Sequence, residues 1–228
     1  MHHNPRPRHL VTWTILIATL GRRQATFLRL IRTLAPQLQQ ANGAVRVMAL
    51  WNNGERPLTR VRQDLIEYAE TPYISFIDDD DIVTPRFIPA ILPLLDGDVH
   101  HAGFRAMVYN NGIPWMPARI SLDAGSWDDT GGEFLRDITI INPIRRDLVM
   151  KHADFTAGGW PEDRSWAAQL RGHLTTGAFA DEILYHYYYN PADSIQTWPG
   201  QKPPPGDHAR PHVNCPHFTW HPASTQHS

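Results

Sequence analysis

The sequence predicts an α/β fold of a single domain, built on a doubly wound and mostly parallel sheet. Three observations predict it. Apolar, strand-like runs alternate with helix-like periods, a polar loop follows each of the first three runs, and the 228 residues suffice for one sizeable core. The hydrophobic fraction of 42% is ordinary for a globular protein. In sheets of this kind ligands collect at the carboxyl ends of the strands.

The first 95 residues contain three units in which a strand, a polar loop and an amphipathic helix follow one another. The strands are predicted at 11–18, 45–51 and 73–77, and the helices at 27–38, 58–69 and 87–95. The polar loops are residues 19–23, 52–54 and 78–81. Because the carboxyl ends of parallel strands share one edge of a sheet, we expect these three loops to meet there.

The second half of the chain predicts shorter elements. Strands are predicted at 100–109, 138–141 and 183–189, helices from 148 and at 162–171, and a hairpin or loop at 110–129. In the helix at 162–171 the side chains of Trp166, Ala167 and Leu170 are expected to face inward. These strands predict a small additional β element beside the parallel sheet.

The elements predict one domain over residues 11–196, with halves at 11–95 and 96–196. An arm at 1–10 precedes it, and a weakly ordered tail rich in proline and histidine follows at 197–228. No apolar run reaches the roughly 20 residues that span a bilayer, and the start lacks the pattern of a signal peptide. The single cysteine fits a reducing compartment, so we expect a cytoplasmic protein without a transmembrane segment.

Charge is distributed unevenly along the chain. Residues 1–62 contain ten arginines and one acid, Glu55, which gives +9, and because the whole chain carries −2 the remainder carries −11. A basic first third suggests a phosphate-bearing ligand near it, and an acidic remainder is where a cation would be held. Alternatively, these arginines cover solvated helix faces.

Four consecutive aspartates, Asp78 to Asp81, follow the predicted strand at 73–77. Their carboxylates repel one another unless a cation or hydrogen-bond donors offset the charge. Such oxygen ligands suit Mg²⁺ or Mn²⁺, which also bridge to substrate phosphates. The alternative is a helix N-terminus, where Asp81 or Thr84 caps the helix and the helix dipole favours the other acids.

Two further groups of residues could take part in chemistry. Glu162 and Asp163 begin a predicted helix, and a carboxylate there could act as a general base toward an acceptor hydroxyl. The same acids also suit a helix start without any catalytic role. The aromatic strand end at 185–189 contains His186, which could complete a metal shell or contact a diphosphate. A strand with alternating inward aromatic side chains is the commoner explanation of such a pattern.

Short motifs stand in a defined order along the chain. They are Ala-Thr-Leu-Gly-Arg at 18–22, Asn-Asn-Gly-Glu at 52–55, Arg-Gln-Asp-Leu at 62–65 and Ile-Asp-Asp-Asp-Asp at 77–81 with Pro85. The set resembles family-two glycosyltransferases, which have the GT-A fold. In that family the first strand ends in Pro-Thr-Tyr-Asn-Arg, the second in Asp-Asn-Gly-Ser, and the third, after an Arg-Asn-x-Gly helix, in an aspartate cluster followed by x-x-x-Pro. Similar segments continue in order to about residue 196.

The resemblance implies transfer of a single sugar from a nucleotide-sugar donor, a UDP-sugar, to an acceptor hydroxyl, with inversion at the anomeric carbon. Asp80 would bind Mg²⁺ or Mn²⁺, with Asp78 as the other member of the Asp-x-Asp pair. Asp78 or Asp79 would also lie near the donor ribose. Asp163, with Glu162 beside it, would deprotonate the acceptor.

The resemblance also implies a nucleotide-sugar pocket in the first half of the chain. Thr19 and Asn52 would line the base and the ribose, and Leu20, Arg22 and Arg62 would lie in the same site. Asn52 stands where the family has an aspartate that reads uracil.

The acceptor is left open by the residues. It could be a glycan, a lipid-linked sugar or a protein, and an alternative is a hydroxymethylated base of DNA, as for virus-type enzymes. A non-catalytic module that binds nucleotide sugars is a further alternative. The chain lacks the Gln-x-x-Arg-Trp motif of processive polysaccharide synthases, which favours a single transfer over polymerisation.

Overall fold

The computed structural model describes residues 12–124, 132–157, 162–189 and 218–221, with the backbone alone for residues 162, 163 and 218–221. Its strands are β1 (Trp13–Thr19), β2 (Val45–Trp51), β3 (Tyr73–Phe76), β4 (Ile82–Val83), β5 (His101–Asn110), β6 (Ile113–Ile120), β7 (Phe134–Arg136), β8 (Ile144–Arg145), β9 (Gly177–Tyr189) and β10 (Phe218–His221). Its helices are α1 (Gln24–Gln40), α2 (Leu58–Tyr68), α3 (Phe87–Leu95), α4 (Arg146–His152) and α5 (Glu162–Arg171). Short 3₁₀ turns lie at Gly21–Arg23 and Leu122–Ala124.

The described strands form one mixed sheet in the order β10-β2-β1-β3-β8-β5-β6-β7. Strands β10, β2, β1 and β3 are parallel to one another, whereas β8 runs antiparallel to both β3 and β5. Strand β9 lies parallel to β5 and also pairs with the short β4. The predicted α/β class, with a mostly parallel sheet in a single domain, is confirmed.

Side chains of β1 alternate between two apolar clusters, one on each face of the sheet. Trp13, Ile15 and Ile17 belong to the cluster that contains the buried side chains of α1 and α3. Leu16 belongs to the other cluster, which contains those of α2, α4 and α5. Since helices cover both faces, β1 is a continuous apolar run rather than an alternating one. Each fully buried leucine or isoleucine here contributes about 1.5–3 kcal/mol through the hydrophobic effect.

Long apolar periods predicted their elements closely. Strand β2 and the helices α3 and α5 have the predicted bounds. Trp166, Ala167 and Leu170 of α5 are buried, as expected. Of the hairpin or loop predicted at 110–129, residues 110–120 belong to a hairpin of β5 and β6, turned by Asn111 and Gly112 at φ 49° and 78°, and residues 125–129 lie outside the described part of the chain. These two residue types accept a left-handed backbone at little cost.

The strand predicted at 138–141 is wrong. Ile138 and Ile140 are buried, but their segment lies between β7 and β8 and is a turn rather than part of a ladder. The side chain of Asn142 accepts a hydrogen bond from the backbone N–H of Thr139 at 2.8 Å and donates one to the carbonyl of Ala102 at 3.0 Å. Apolar alternation here reflects contact with the core and not strand pairing.

The C-terminal segment contains a strand that the sequence did not predict. Strand β10 extends the sheet beside β2, with Phe218 opposite Val47 and His221 opposite Leu50. The rest of the predicted tail lies outside the described residues, as does the arm at 1–10, so those boundaries stay predictions. Within the described part of the chain, no helix combines the length and the apolar character that crossing a bilayer requires.

Candidate active site

The first three strands end at one edge of the sheet. Thr19 pairs with Trp51, and the N–H of Ile77 donates to the carbonyl of Leu16 at 3.0 Å. The N–H of Asn52 donates to the carbonyl of Thr19 at 2.8 Å. The polar loops after β1, β2 and β3 therefore meet, as the order of elements predicted.

The four aspartates after β3 alternate between partly exposed and buried positions. Asp79 and Asp81 are 2% and 1% exposed. The side chains of Asp78 and Asp80 retain 37% and 33% of their accessible surface. The N–H of Asp81 donates to the carbonyl of Asp78 at 3.2 Å, so the four aspartates form a turn with Asp79 and Asp80 at its two central positions. Asp79 and Asp81 are buried in the interior, and Asp78 and Asp80 are partly exposed at the edge of the sheet.

Asp79 joins the aspartate cluster to the loop after β1. The hydroxyl of Thr19 and a guanidinium N–H of Arg23 each donate to its carboxylate at 2.7 Å. Arg23 also lies 2.9 Å from a carboxylate oxygen of Asp80. Burial raises the pKa of Asp79, and the charge of Arg23 and the bond from Thr19 oppose that rise. Asp79 is therefore held by two donors on the interior side.

Asp81 is held from the other side by β9. The hydroxyl of Tyr185 donates to one carboxylate oxygen at 2.6 Å, and the backbone N–H of Tyr188 donates to the other at 2.8 Å. Burial, with the neighbouring charges of Asp78 and Asp80, raises the pKa of Asp81 well above its ordinary value. This carboxyl group ties the aspartate cluster to the second half of the chain.

Asp78 is oriented by a buried arginine of α2. A guanidinium N–H of Arg62 donates to its carboxylate at 2.8 Å. Arg62 is only 4% exposed, and its guanidinium lies 5.8 and 5.9 Å from the ring centroids of Phe76 and Phe155. The ion pair therefore sits at the wall of the core, where solvent screens it less than at the surface.

Asp80 is partly exposed and shares the guanidinium of Arg23 with Asp79. Burial, and then the charge of Asp78, raises its pKa to about 6, although Arg23 opposes the shift. Its backbone carbonyl accepts a bond from Arg29 of α1. A half-exposed carboxyl with a raised pKa beside a second exposed carboxylate is suited to binding a cation.

The remaining residues predicted for the nucleotide pocket lie in the same loops. Leu20 is half-buried and Arg22 is exposed, and Arg22 forms no ion pair with the described residues. Asn52 is buried, at 8% exposed. The structure therefore brings Thr19, Leu20, Arg22, Asn52, Arg62, Asp78 and Asp79 together at one edge, and their roles toward a ligand stay predictions.

His186 pairs with Ile82, the residue after Asp81, in the ladder of β4 and β9, and its ring lies 5.3 Å from that of Tyr109. Burial lowers the pKa of His186. Among the described residues, no three His, Cys, Asp or Glu side chains are grouped so that they could hold a metal ion.

Glu162 and Asp163 begin α5, and their side chains lie outside what the structure describes. The helix itself packs directly behind the cluster. Trp166 stacks on Phe155, with ring centroids 5.7 Å apart, and Phe155 meets the edge of Phe76, also at 5.7 Å. Phe76 is the last residue of β3 before the loop that carries the aspartates, so α5 is fixed relative to Asp78.

Two residues of the cluster were missed at the sequence level. Arg23, rather than the neighbouring Arg22, bonds to the aspartates, and Tyr185, rather than His186, reaches Asp81. In both places the sequence predicted the correct motif but assigned the contact to the residue next to the one that makes it. The direction of a 3₁₀ turn and the face of a strand decide between neighbours, and neither is visible from residue types alone.

Solved structures of S. aureus TarS are similar to this chain. The structure of residues 1–349 matches with a TM-score of 0.57 at 11% identity, and covers 78% of this chain and 60% of that one. The complexes of TarS 1–349 with UDP-GlcNAc and with UDP match with TM-scores of 0.54 and 0.56, at 14% and 12% identity, covering 78% and 80% of this chain and 59% and 62% of theirs. This chain thus spans about 60% of their length, and the likeness concerns the fold.

Curated protein sequences contain no significant match to this chain. A model of one protein family does match it, over residues 31–155, which is 125 of the 228 residues and includes α2, β3 and all four aspartates. More than half of the chain is therefore covered by this family model. The chain therefore belongs to glycosyl transferase family 2.

Proposed function

We propose that this chain transfers a single sugar from a UDP-sugar to an acceptor hydroxyl, with Mg²⁺ or Mn²⁺ bound at Asp78 and Asp80. The observation that carries the proposal is the alternation of the aspartates: two are satisfied inside the fold, and two are presented at the sheet edge beside a cluster of arginines. Family membership supports glycosyl transfer, and the complexes of TarS with UDP-GlcNAc and UDP support the choice of nucleotide.

The residues present fit a divalent cation whose coordination shell is completed by the substrate. Asp78 and Asp80 supply two carboxylates, and Mg²⁺ or Mn²⁺ bound through one or two carboxylates takes its other ligands from phosphate oxygens and water. When bound, the cation would neutralise negative charge on the leaving diphosphate. Among the described residues no three His, Cys, Asp or Glu side chains are grouped around a metal position, so we leave His186 out of this set.

The chain's own residues would position the donor around that cation. Thr19 and Arg23 hold the loop after β1 against Asp79, and Arg62 fixes the direction of the Asp78 carboxylate. Arg22, exposed in the same loop, would meet the donor diphosphate, because a guanidinium pairs well with phosphate oxygens. Leu20 and Asn52 would contribute to the pocket for the nucleoside.

The acceptor would be activated from the second half of the chain. Asp163, with Glu162 beside it at the start of α5, would take the proton of the acceptor hydroxyl as its oxygen attacks the anomeric carbon. A single displacement of this kind breaks the bond from sugar to diphosphate and inverts the anomeric configuration. The packing of Trp166 on Phe155 supports a fixed distance between α5 and the aspartates.

The test uses Asp80→Asn with Asp98→Asn as the matched control. Asp98 is an exposed aspartate with a left-handed backbone, which asparagine also accepts. With UDP-GlcNAc as probe, Asp80→Asn should lower metal-dependent donor turnover by about 10²-fold or more, since a charge-stabilising group of the transition state is lost. The control should keep it. Unchanged metal-dependent turnover in Asp80→Asn would remove Asp80 from the site.

A further inference from the structure

The loop after β2 is closed by the side chain of its first residue. The Asn52 amide donates to the carbonyl of Arg56 at 2.8 Å, and its oxygen accepts from the N–H of Arg56 at 3.2 Å. Gly54, inside the loop, has φ of 89°, a value that glycine adopts without strain. Both ends of the amide are engaged, so Asn52 defines the shape of the loop 52–56.

An ion pair with α2 holds the closed loop from outside. The guanidinium of Arg56 pairs with one carboxylate oxygen of Asp64, and Nε of Arg60 lies 2.8 Å from the other. Asp64 is 3% exposed, whereas Arg56 and Arg60 reach it from the surface side, with side chains 33% and 49% exposed. A buried carboxylate needs such partners, so Asp64 constrains where Arg56 can lie.

The loop 52–56 packs against the loop after β1. A Cβ on Gly21 would lie 2.7 Å from the side-chain oxygen of Asn53 and 3.3 Å from Nε1 of Trp51. Gly21 stands between Leu20 and Arg22, two residues proposed for the donor pocket. The position of the loop 52–56 therefore sets one wall of that pocket.

We infer that Asp64 is a positioning residue for the nucleotide, which acts by holding Arg56 and, through it, the loop closed by Asn52. This inference rests on the proposed UDP-sugar donor. A loop that contains glycine has many conformations when free, and fixing one of them before the ligand arrives lowers the entropic cost of binding. Helix α2 then serves the site twice, because Arg62 orients Asp78 and Asp64 fixes the nucleotide-side loop.

The inference predicts a loss of nucleotide affinity with the chemical step intact. In Asp64→Asn and in Arg56→Gln, the dissociation constant for UDP with Mn²⁺, measured by calorimetry, should rise about tenfold. The kcat at saturating donor should stay within about twofold, because Asp78 and Asp80 are unchanged. The double variant should bind UDP no more weakly than Asp64→Asn alone, since both changes break one connection.

Arg60→Gln is the matched control. It removes the other arginine that pairs with Asp64 but leaves the link to the loop, so UDP affinity should stay within about twofold of wild type. An equal loss of affinity in Arg60→Gln, or unchanged affinity in both Asp64→Asn and Arg56→Gln, would overturn the inference. Arg56 is half-exposed, so its variant keeps the test valid even where Asp64→Asn folds poorly.

A second measurement separates this inference from the choice of donor. Hydrogen exchange of the peptide that covers residues 52–57 needs no nucleotide. Faster exchange at the Arg56 amide in Asp64→Asn and Arg56→Gln, but not in Arg60→Gln, supports the inference, and equal exchange in all variants contradicts it. If wild type binds no UDP, the proposed donor fails, while the exchange result still decides whether Asp64 holds the loop.

Discussion

Individual side chains and one backbone amide reduce the repulsion among the four adjacent carboxylates. At a separation of about 4 Å, two like charges repel by several kcal/mol at the effective dielectric of a protein surface. Thr19 and Arg23 offset this at Asp79, and Tyr185 with the Tyr188 amide offsets it at Asp81. The two partly exposed carboxylates pair with Arg62 and Arg23, and they keep open surface at which a cation would relieve the remaining repulsion.

Tyr185→Phe should destabilise the fold although it removes a single oxygen atom. Asp81 would lose its hydroxyl donor in a site that water does not reach, and such a loss costs about 1–3 kcal/mol. Urea unfolding measures the change. Tyr109→Phe is the control, since it keeps the ring that stacks on Tyr188 at 4.7 Å and should cost less than about 0.5 kcal/mol. Equal stability of Tyr185→Phe and wild type would mean that the bond to Asp81 contributes nothing.

His101 predicts a loss of stability on acidification. Burial lowers its pKa, although a bond to the Thr176 backbone and the charges of Asp123 and Asp137 oppose the shift. Its contribution to stability is therefore fully present above the unfolded value of about 6.5 and is lost as the pH falls through the lower folded pKa. Thermal unfolding of wild type and His101→Gln from pH 8 to 5 should show a shallower acid loss in the variant. Parallel curves would contradict this.

Secondary-structure elements were predictable where a single physical cause determined the pattern. Strand β2 and helices α3 and α5 have the predicted bounds because their apolar periods arise from packing on one sheet. Apolar alternation alone predicted a strand wrongly at 138–141. The two buried isoleucines there belong to a turn that the side chain of Asn142 stabilises by a hydrogen bond. The sequence predicted the aspartate cluster but not which of its carboxylates are buried. That depends on distant residues, since Tyr185 donates to Asp81 from 104 residues further along the chain.

The pairing of β5 with β9 depends on a glycine opposite a buried histidine. A Cβ on Gly177 would lie 2.2 Å from Cε1 of His101, so Gly177→Ala forces the ring or the strand to move. Overpacking of this kind costs about 1–3 kcal/mol, which chemical denaturation can measure. Gly172→Ala meets nothing within 4 Å and should be close to neutral. In His101→Ala the ring that clashes is absent, so adding Gly177→Ala to it should restore part of the lost stability. If Gly177→Ala instead lowers the stability of His101→Ala by as much as it lowers that of wild type, the clash is excluded.

At the scale of the whole molecule, the sheet divides the proposed reaction between its parallel and antiparallel parts. The parallel strands β1, β2 and β3 carry the proposed donor loops, and the chain passes through β5, β6, β7 and β8 before it reaches α5. The aromatic contacts from Phe76 through Phe155 to Trp166 join the two parts at the cluster. In the proposed mechanism, donor binding and acceptor activation therefore involve different segments, and a change in one should be separable from the other.

Asp163→Asn should separate the two functions. Its position at the start of α5 lies in the second half of the chain, while the residues proposed to bind the donor lie before residue 81. The dissociation constant for UDP should therefore remain within about twofold of wild type, whereas kcat for transfer should fall by about 10²- to 10⁴-fold, the contribution of a general base. Asp147→Asn, which changes an exposed aspartate of α4, should leave both values unaltered. Full turnover by Asp163→Asn would assign the base to another residue, and weakened UDP binding would place Asp163 on the donor side instead.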